Sequence, residues 1–188
     1  MLWFLGGAAA FGLFVFYDIN SVVWKKKTLR SFFALGVLLL LAATGICLLR
    51  SFGSSRLFQN SAAVLYLIPG AVSFVLMIYS LFYALPFGET YVYVSGKAAP
   101  CDRGMYALCR HPGVLWFCFV YLFLALAWGT ATVWAMGFFY CLMDVGYVVL
   151  QDLWTFPRTL EDYEGYRKRV PFLIPTAGSM KRAWDTRR

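Results

Sequence analysis

The sequence predicts an all-α, polytopic integral membrane protein with five transmembrane helices, a C-terminal helical hairpin and a cytoplasmic interfacial tail. Two observations predict it. The 188 residues are 61% hydrophobic and only 14% charged, whereas a soluble domain carries about 25% charged residues. The charges are also clustered. No Asp, Glu, Lys or Arg falls between Ser31 and Leu49, between Leu57 and Gly88, or between His111 and Met143. A helix crosses a bilayer in roughly 20 residues, and each of these runs is about that long or longer. The pattern excludes a water-soluble globule, a disordered chain and a disulfide-stapled secreted module.

The elements follow in order along a single membrane domain, 1–188. The first span, 1–24, closes at Asp18 and Trp24-Lys25-Lys26-Lys27. Its basic residues follow the apolar run, whereas a cleaved signal peptide carries them in front. The second span is 31–50. A polar link with Ser51, Gly53, Ser54 and Asn60 leads to the third, 62–85, where Pro69 predicts a kink because it removes a backbone hydrogen bond. A polar loop, 86–111, carries Tyr91, Tyr93, Lys97 and Tyr106. The apolar stretch from Pro112 to Leu150 is too long for one helix, and Gly129-Thr130 divides it into spans 112–128 and 130–152. The tail is 157–188.

Basic residues orient such a chain, because cytoplasmic loops retain Lys and Arg. With the N-terminus outside, fifteen of the 17 Lys and Arg lie on the inner side, and only Arg50 and Arg56 lie outside. The net charge of +8 is thereby explained by orientation, and no nucleic-acid partner is expected. The five cysteines form no CxxC or other metal pattern and read as small apolar residues.

Three groups of residues could carry chemistry. Arg110-His111-Pro112 stands where the loop enters the fourth span. Proline suits the first helical position, and free N–H groups with the helix dipole favour an anion there. In the tail, Thr159 and Asp162 have the spacing of a capping box for a short helix after Pro157. That helix would place Tyr163, Tyr166 and Val170 on one face and basic residues on another, as an interfacial helix does. Asp144 lies within the fifth span, where an ionisable group is costly. Helical spacing puts Asp144, Tyr147 and Gln151 on one face, with Asp152 at its edge.

Together these segments resemble the isoprenylcysteine carboxyl methyltransferase and phospholipid methyltransferase superfamily. The loop pattern of that family appears as Gly104-Met105-Tyr106 followed by Arg110-His111-Pro112. Its tail pattern appears as Glu161-Asp162-Tyr163, Tyr166, Arg169-Val170-Pro171 and Pro175. The resemblance covers residues 100 to 175. It implies a cytoplasm-facing S-adenosylmethionine pocket held by Tyr106, His111, Pro112, Tyr163 and Tyr166. It also implies a membrane lipid or a prenylated amphiphile as methyl acceptor, entering from the bilayer, and no metal. The family's arginine and glutamate for the acceptor's carboxylate are not matched. The glutamate position is Gln151, with Asp152 beside it, and the arginine position falls near Tyr147. Val114 and Leu160 also replace a tyrosine and a glycine of the pattern. Asp152, Gln151 and Arg110 are therefore the catalytic candidates. Two other readings stay open: a non-catalytic lipid- or cofactor-binding membrane protein, and an NADPH-dependent sterol-type reductase, whose architecture is related but longer.

Overall fold

The computed structural model describes residues 2–84 and 99–186, and among these the chain is all-helical. Tyr91, Tyr93 and Lys97 of the polar loop lie outside the described residues. The first helix, α1 (Leu2–Ile19), continues as a π-helical turn, Asn20–Trp24. Asn20 ends it. Its buried side chain donates to the Lys26 carbonyl and accepts the Lys26 N–H, each at 2.9 Å, while Lys25 turns into the left-handed region at φ 54°. The helix therefore stops at the lysine triplet, where the chain becomes too polar to stay in an apolar setting.

A 3-10 turn, Lys27–Arg30, leads into α2 (Ser31–Ser51). The one-turn α3 (Arg56–Gln59) is capped by Ser55. A 3-10 segment, Ser61–Tyr66, then runs into α4 (Leu67–Phe82). Pro69 thus falls in the first turn of α4 and not in the middle of a continuous α-helix. The helix changes type just before the proline. The Leu67 N–H already uses the carbonyls of Val64 and Leu65, and the carbonyl of Leu65 is the one an α-helical residue at position 69 would need.

Past the short α5 (Met105–Leu108), α6 (Pro112–Trp128) begins on its proline and ends at Gly129, which takes φ 69° and donates its N–H to the Ala125 carbonyl. Thr130 caps α7 (Ala131–Leu150) by accepting the Val133 N–H. A second π-helical turn, Gln151–Thr155, extends α7 into α8 (Phe156–Thr159). The tail forms α9 (Tyr163–Arg169) and α10 (Ala177–Asp185).

Four helical stretches are long and apolar enough to cross a membrane: Leu2–Trp24, Lys27–Gln59, Ser61–Phe82 and Ala131–Thr159. The 17-residue α6 is apolar but shorter. In the bundle α1 packs on α2 and α7, and α6 packs between α4 and α7. Small residues permit the closest approaches. A methyl group at Gly7 would collide with the Tyr140 ring, and one at Gly36 would sit 2.6 Å from the Phe14 ring. Such small-residue contacts replace the hydrophobic driving force that a lipid solvent does not supply.

Phe11, Phe14, Val133, Met136 and Tyr140 fill the centre. Their polar neighbours are satisfied between helices. Tyr140 Oη donates to the Trp3 carbonyl at 2.7 Å, Trp128 Nε1 donates to the Leu48 carbonyl at 3.1 Å, and the Tyr121 and Thr44 hydroxyls lie 2.8 Å apart. The outside of the bundle is apolar: Leu38, Leu41, Ile68, Val72 and Val75 are all exposed. That surface suits hydrocarbon and would be a large apolar patch in water.

Candidate functional site

The chain converges on one carboxylate, Asp152, in the π-helical turn after α7. Proline at the start of α6 fixes where the preceding Arg110 and His111 leave the loop. Arg110 Nε lies 2.8 Å from Asp152 Oδ1. This contact is charge to charge, because the Nε–H finds no aligned hydrogen-bond acceptor. A terminal Arg110 nitrogen donates to Asp152 Oδ2 at 3.2 Å. The other terminal nitrogen donates to the Arg167 and Val170 carbonyls, at 2.9 and 3.0 Å, and the Arg110 N–H donates to the Pro171 carbonyl at 2.9 Å. One arginine therefore ties the loop, α7 and the tail together.

Tyr163 Oη donates to Asp152 Oδ1 at 2.7 Å, and Arg167 Nε lies 3.4 Å from Oδ2. His111 Nε2 is 3.5 Å from Oδ1, beyond a good hydrogen bond, and it is buried without a hydrogen-bond partner. The His111 ring stacks on Phe156 at 5.7 Å and meets the edge of Phe172 at 5.2 Å. Phe172 also lies 5.4 Å from the Arg110 guanidinium, within cation–π range. Tyr166 Oη donates to the Tyr106 carbonyl at 2.9 Å, and Tyr106 Oη donates to the Ser80 carbonyl at 3.0 Å.

Burial tunes these groups. The loss of solvent pushes His111 below its ordinary pKa. Asp152 pulls the other way and Arg110 adds to the lowering, so the imidazole is held neutral. Burial, then Asp152, raises the Tyr163 hydroxyl. Burial, then Tyr163, raises that of Tyr166. Burial pushes the Cys109 thiol up to about 11. Both tyrosines are therefore neutral hydrogen-bond donors at physiological pH.

Of the sequence candidates, Arg110, His111 and Tyr163 meet at Asp152; Tyr166 packs on Tyr163 and bonds the Tyr106 backbone, Pro112 starts α6 next to His111, and the Tyr106 hydroxyl turns away to α4. Gln151 does not join them. Its amide donates to Tyr147 Oη at 2.9 Å and faces a second buried cluster around Asp18, whose carboxylate accepts from Thr155 Oγ1 at 3.3 Å. Helical spacing explains the split: Gln151 and Thr155 stand about one turn apart and face Asp18 of α1, while Asp152, about 100° round the helix, faces Arg110 and Tyr163. Asp144 stands apart from both clusters, half-buried, with no hydrogen bond or ion pair among the described residues.

The tail also differs from expectation. Asp162, at φ 43°, caps α9 directly by accepting the Gly165 N–H, and Thr159 Oγ1 donates back to the Thr155 carbonyl instead of forming a capping box. The apolar face of α9 (Tyr163, Tyr166, Val170) packs on Phe156 and Leu160, not on lipid. Sequence reasoning does not single out Phe156, Phe172, Arg167 or Asp18. Arg167 belongs to the basic run already noted, whereas nothing local marks the two phenylalanines.

Beside the carboxylate an open cavity of about 180 Å³ is lined by Val149, Asp152, Leu153 and Phe172. Val149 and Leu153 are exposed on the outer surface of the bundle, so the cavity is apolar except at its acidic end. Among the described residues no group of His, Cys, Asp and Glu could hold a metal ion.

Fold and site together define a helical protein with membrane-length apolar helices and a buried Arg–Asp–Tyr network at one end of the bundle. No family model, curated protein or solved structure matches the chain.

Proposed function

We propose that the chain is a membrane methyltransferase of the isoprenylcysteine/phospholipid type, acting on a membrane-soluble acceptor at the Asp152 end of the bundle. The observation that carries this reading is the meeting of Arg110, His111 and Tyr163 around Asp152, with Tyr166 packed on Tyr163 and bonded to the Tyr106 backbone, beside an apolar cavity. In this reading α6 is the fourth of five spans. Its 17 residues rise about 26 Å at 1.5 Å each, close to the roughly 30 Å hydrocarbon core. With five spans, the 15-to-2 split of Lys and Arg supports an outside N-terminus and a cytoplasmic site.

The donor set fits the amino-acid end of S-adenosylmethionine. His111 Nε2 is a buried nitrogen with no hydrogen-bond partner, and the Phe172 ring, which lies 5.4 Å from the Arg110 guanidinium, suits a cation such as the sulfonium. The 180 Å³ cavity is smaller than the roughly 300–1,000 Å³ of a usual ligand pocket, so the fit is limited to that end. When bound, this cofactor supplies an activated methyl group. The chain's own part is to hold and orient. Arg110 locks the loop to the tail, Asp152 fixes the Arg110 and Tyr163 side chains, and Val149, Leu153 and Phe172 offer an apolar surface for an acyl or prenyl chain. Positioning of this kind accounts for much of the catalysis of a two-body transfer.

A second reading is favoured by one observation: most polar atoms of the network already bond one another. They would then form a structural clamp in a non-catalytic membrane protein. Incubating the full-length protein in proteoliposomes with methyl-labelled S-adenosylmethionine and total lipid extract separates the two. Label in a lipid-soluble product supports methyl transfer. Absence of label in every lipid fraction, together with absence of cofactor binding, supports the clamp.

A further inference from the structure

Helix α10 lies outside the Asp152 network and has two sides of different chemistry. A reciprocal capping box starts it: Thr176 Oγ1 accepts the Ser179 N–H at 3.2 Å and Ser179 Oγ accepts the Thr176 N–H at 2.9 Å. One side is fixed to the protein. Ser179 is fully buried, Thr186 Oγ1 accepts the Gly104 N–H at 3.0 Å, and the Arg182 guanidinium donates to the Arg169 carbonyl. The other side carries Met180 and Trp184, one turn apart, which are 52% and 67% exposed, and Ile174 just ahead of the helix is 80% exposed. Lys181 is exposed beside them.

The position and charge of α10 indicate what surroundings the exposed surface of Met180 and Trp184 suits. It packs on α5, which ends four residues before Pro112 opens α6, so it lies next to the point where an apolar helix begins. Lys181 and Arg182 outnumber Asp185, Arg187 and Arg188 follow in the sequence, and Lys168 and Arg169 stand on the neighbouring α9. Of these, Arg169 is partly engaged, 4.0 Å from Asp102. A tryptophan and a methionine flanked by basic residues form the composition of a helix lying in the headgroup boundary, where apolar insertion and attraction to anionic lipid add.

We propose that α10 is a membrane-surface helix whose Met180–Trp184 side inserts into the leaflet next to the start of α6, with Lys181 and its basic neighbours selecting anionic headgroups. The proposal is independent of methyl transfer, since none of these residues belongs to the Asp152 network. It also differs from the sequence expectation that placed the interfacial helix at residues 163–170.

The test uses full-length protein in lipid nanodiscs of phosphatidylcholine alone, or with one quarter phosphatidylglycerol, each with brominated acyl chains. Subtracting the emission of Trp184→Phe from that of the wild type isolates Trp184. The expected result is quenching of Trp184 by brominated lipid, stronger in the anionic discs and weakened by 0.5 M salt. Lys181→Gln should lower the inserted fraction's equilibrium about fivefold, following the roughly 1 kcal/mol per basic residue near an anionic surface. Equal quenching in both lipids, or quenching by aqueous iodide but not by bromine, overturns the proposal. Shielding from both quenchers together with two chains per disc would assign the Met180–Trp184 side to a second copy and overturns it as well.

Discussion

Replacing Asp152 by Ala removes the group on which loop, helix and tail converge. The cost follows from the structure. The Arg110 and Asp152 side chains are only 9% and 5% exposed, so water cannot solvate the arginine that remains. Removing one partner of a buried pair costs about 3–5 kcal/mol. Arg167 adds little, since its side chain is 31% exposed and solvent screens the contact. The adjacent Cys109 reports local opening: it is fully buried, and its thiol pKa of about 11 keeps it unreactive. At 1.4 kcal/mol per decade, Asp152→Ala should raise the population of the open form, and thus the maleimide labelling rate of Cys109, by about two to three and a half orders of magnitude, up to the rate of an unfolded thiol. Peptide-resolved mass spectrometry separates Cys109 from the other four cysteines. Asp152→Asn, which keeps an acceptor for Tyr163, should fall between wild type and Ala. An unchanged Cys109 rate in both variants, with unchanged thermal unfolding, would refute the reasoning that Asp152 holds the site together.

Other consequences are as direct. Tyr163→Phe removes a 2.7 Å donor to a carboxylate and should destabilise the protein by about 1.5–3 kcal/mol, read from the unfolding midpoint in detergent. His111 has a folded pKa below its unfolded value, so the unfolded chain binds the extra proton. Stability should be level above about pH 6.5 and decline as pH falls below it, by at most about 1.4 kcal/mol per unit. His111→Gln should flatten that decline between pH 5.5 and 7, whereas a rise in wild-type stability on acidification would mean that His111 is a charged partner of Asp152. Gly7→Ala drives a methyl group into the Tyr140 ring and should cost about 1–3 kcal/mol as an overpacked contact. Gly12→Ala, which meets nothing within 4 Å, is its control.

Much of the helical layout is legible in the sequence because it depends on short-range chemistry. Proline at 112 and Gly129-Thr130 mark the ends of α6 and the start of α7, and the uncharged runs mark the apolar helices. The grouping of Arg110, His111 and Tyr163 is expected only through the family resemblance, since spacing within each motif says nothing of the distance between them. What escapes the sequence is the backbone geometry between motifs. A rotation of about 100° per residue turns Asp152 away from Gln151 but does not say which distant group each will meet. Asp18 reads as the polar end of an apolar run, because its partners Gln151 and Thr155 lie more than 130 residues away.

Calorimetric titration of purified full-length protein with S-adenosylmethionine and with its demethylated product tests the central claim most directly. The account predicts saturable binding of both, weakened at least tenfold by His111→Ala while Cys109 stays protected from labelling. No heat of binding for either molecule, in protein whose Cys109 is protected, would contradict it.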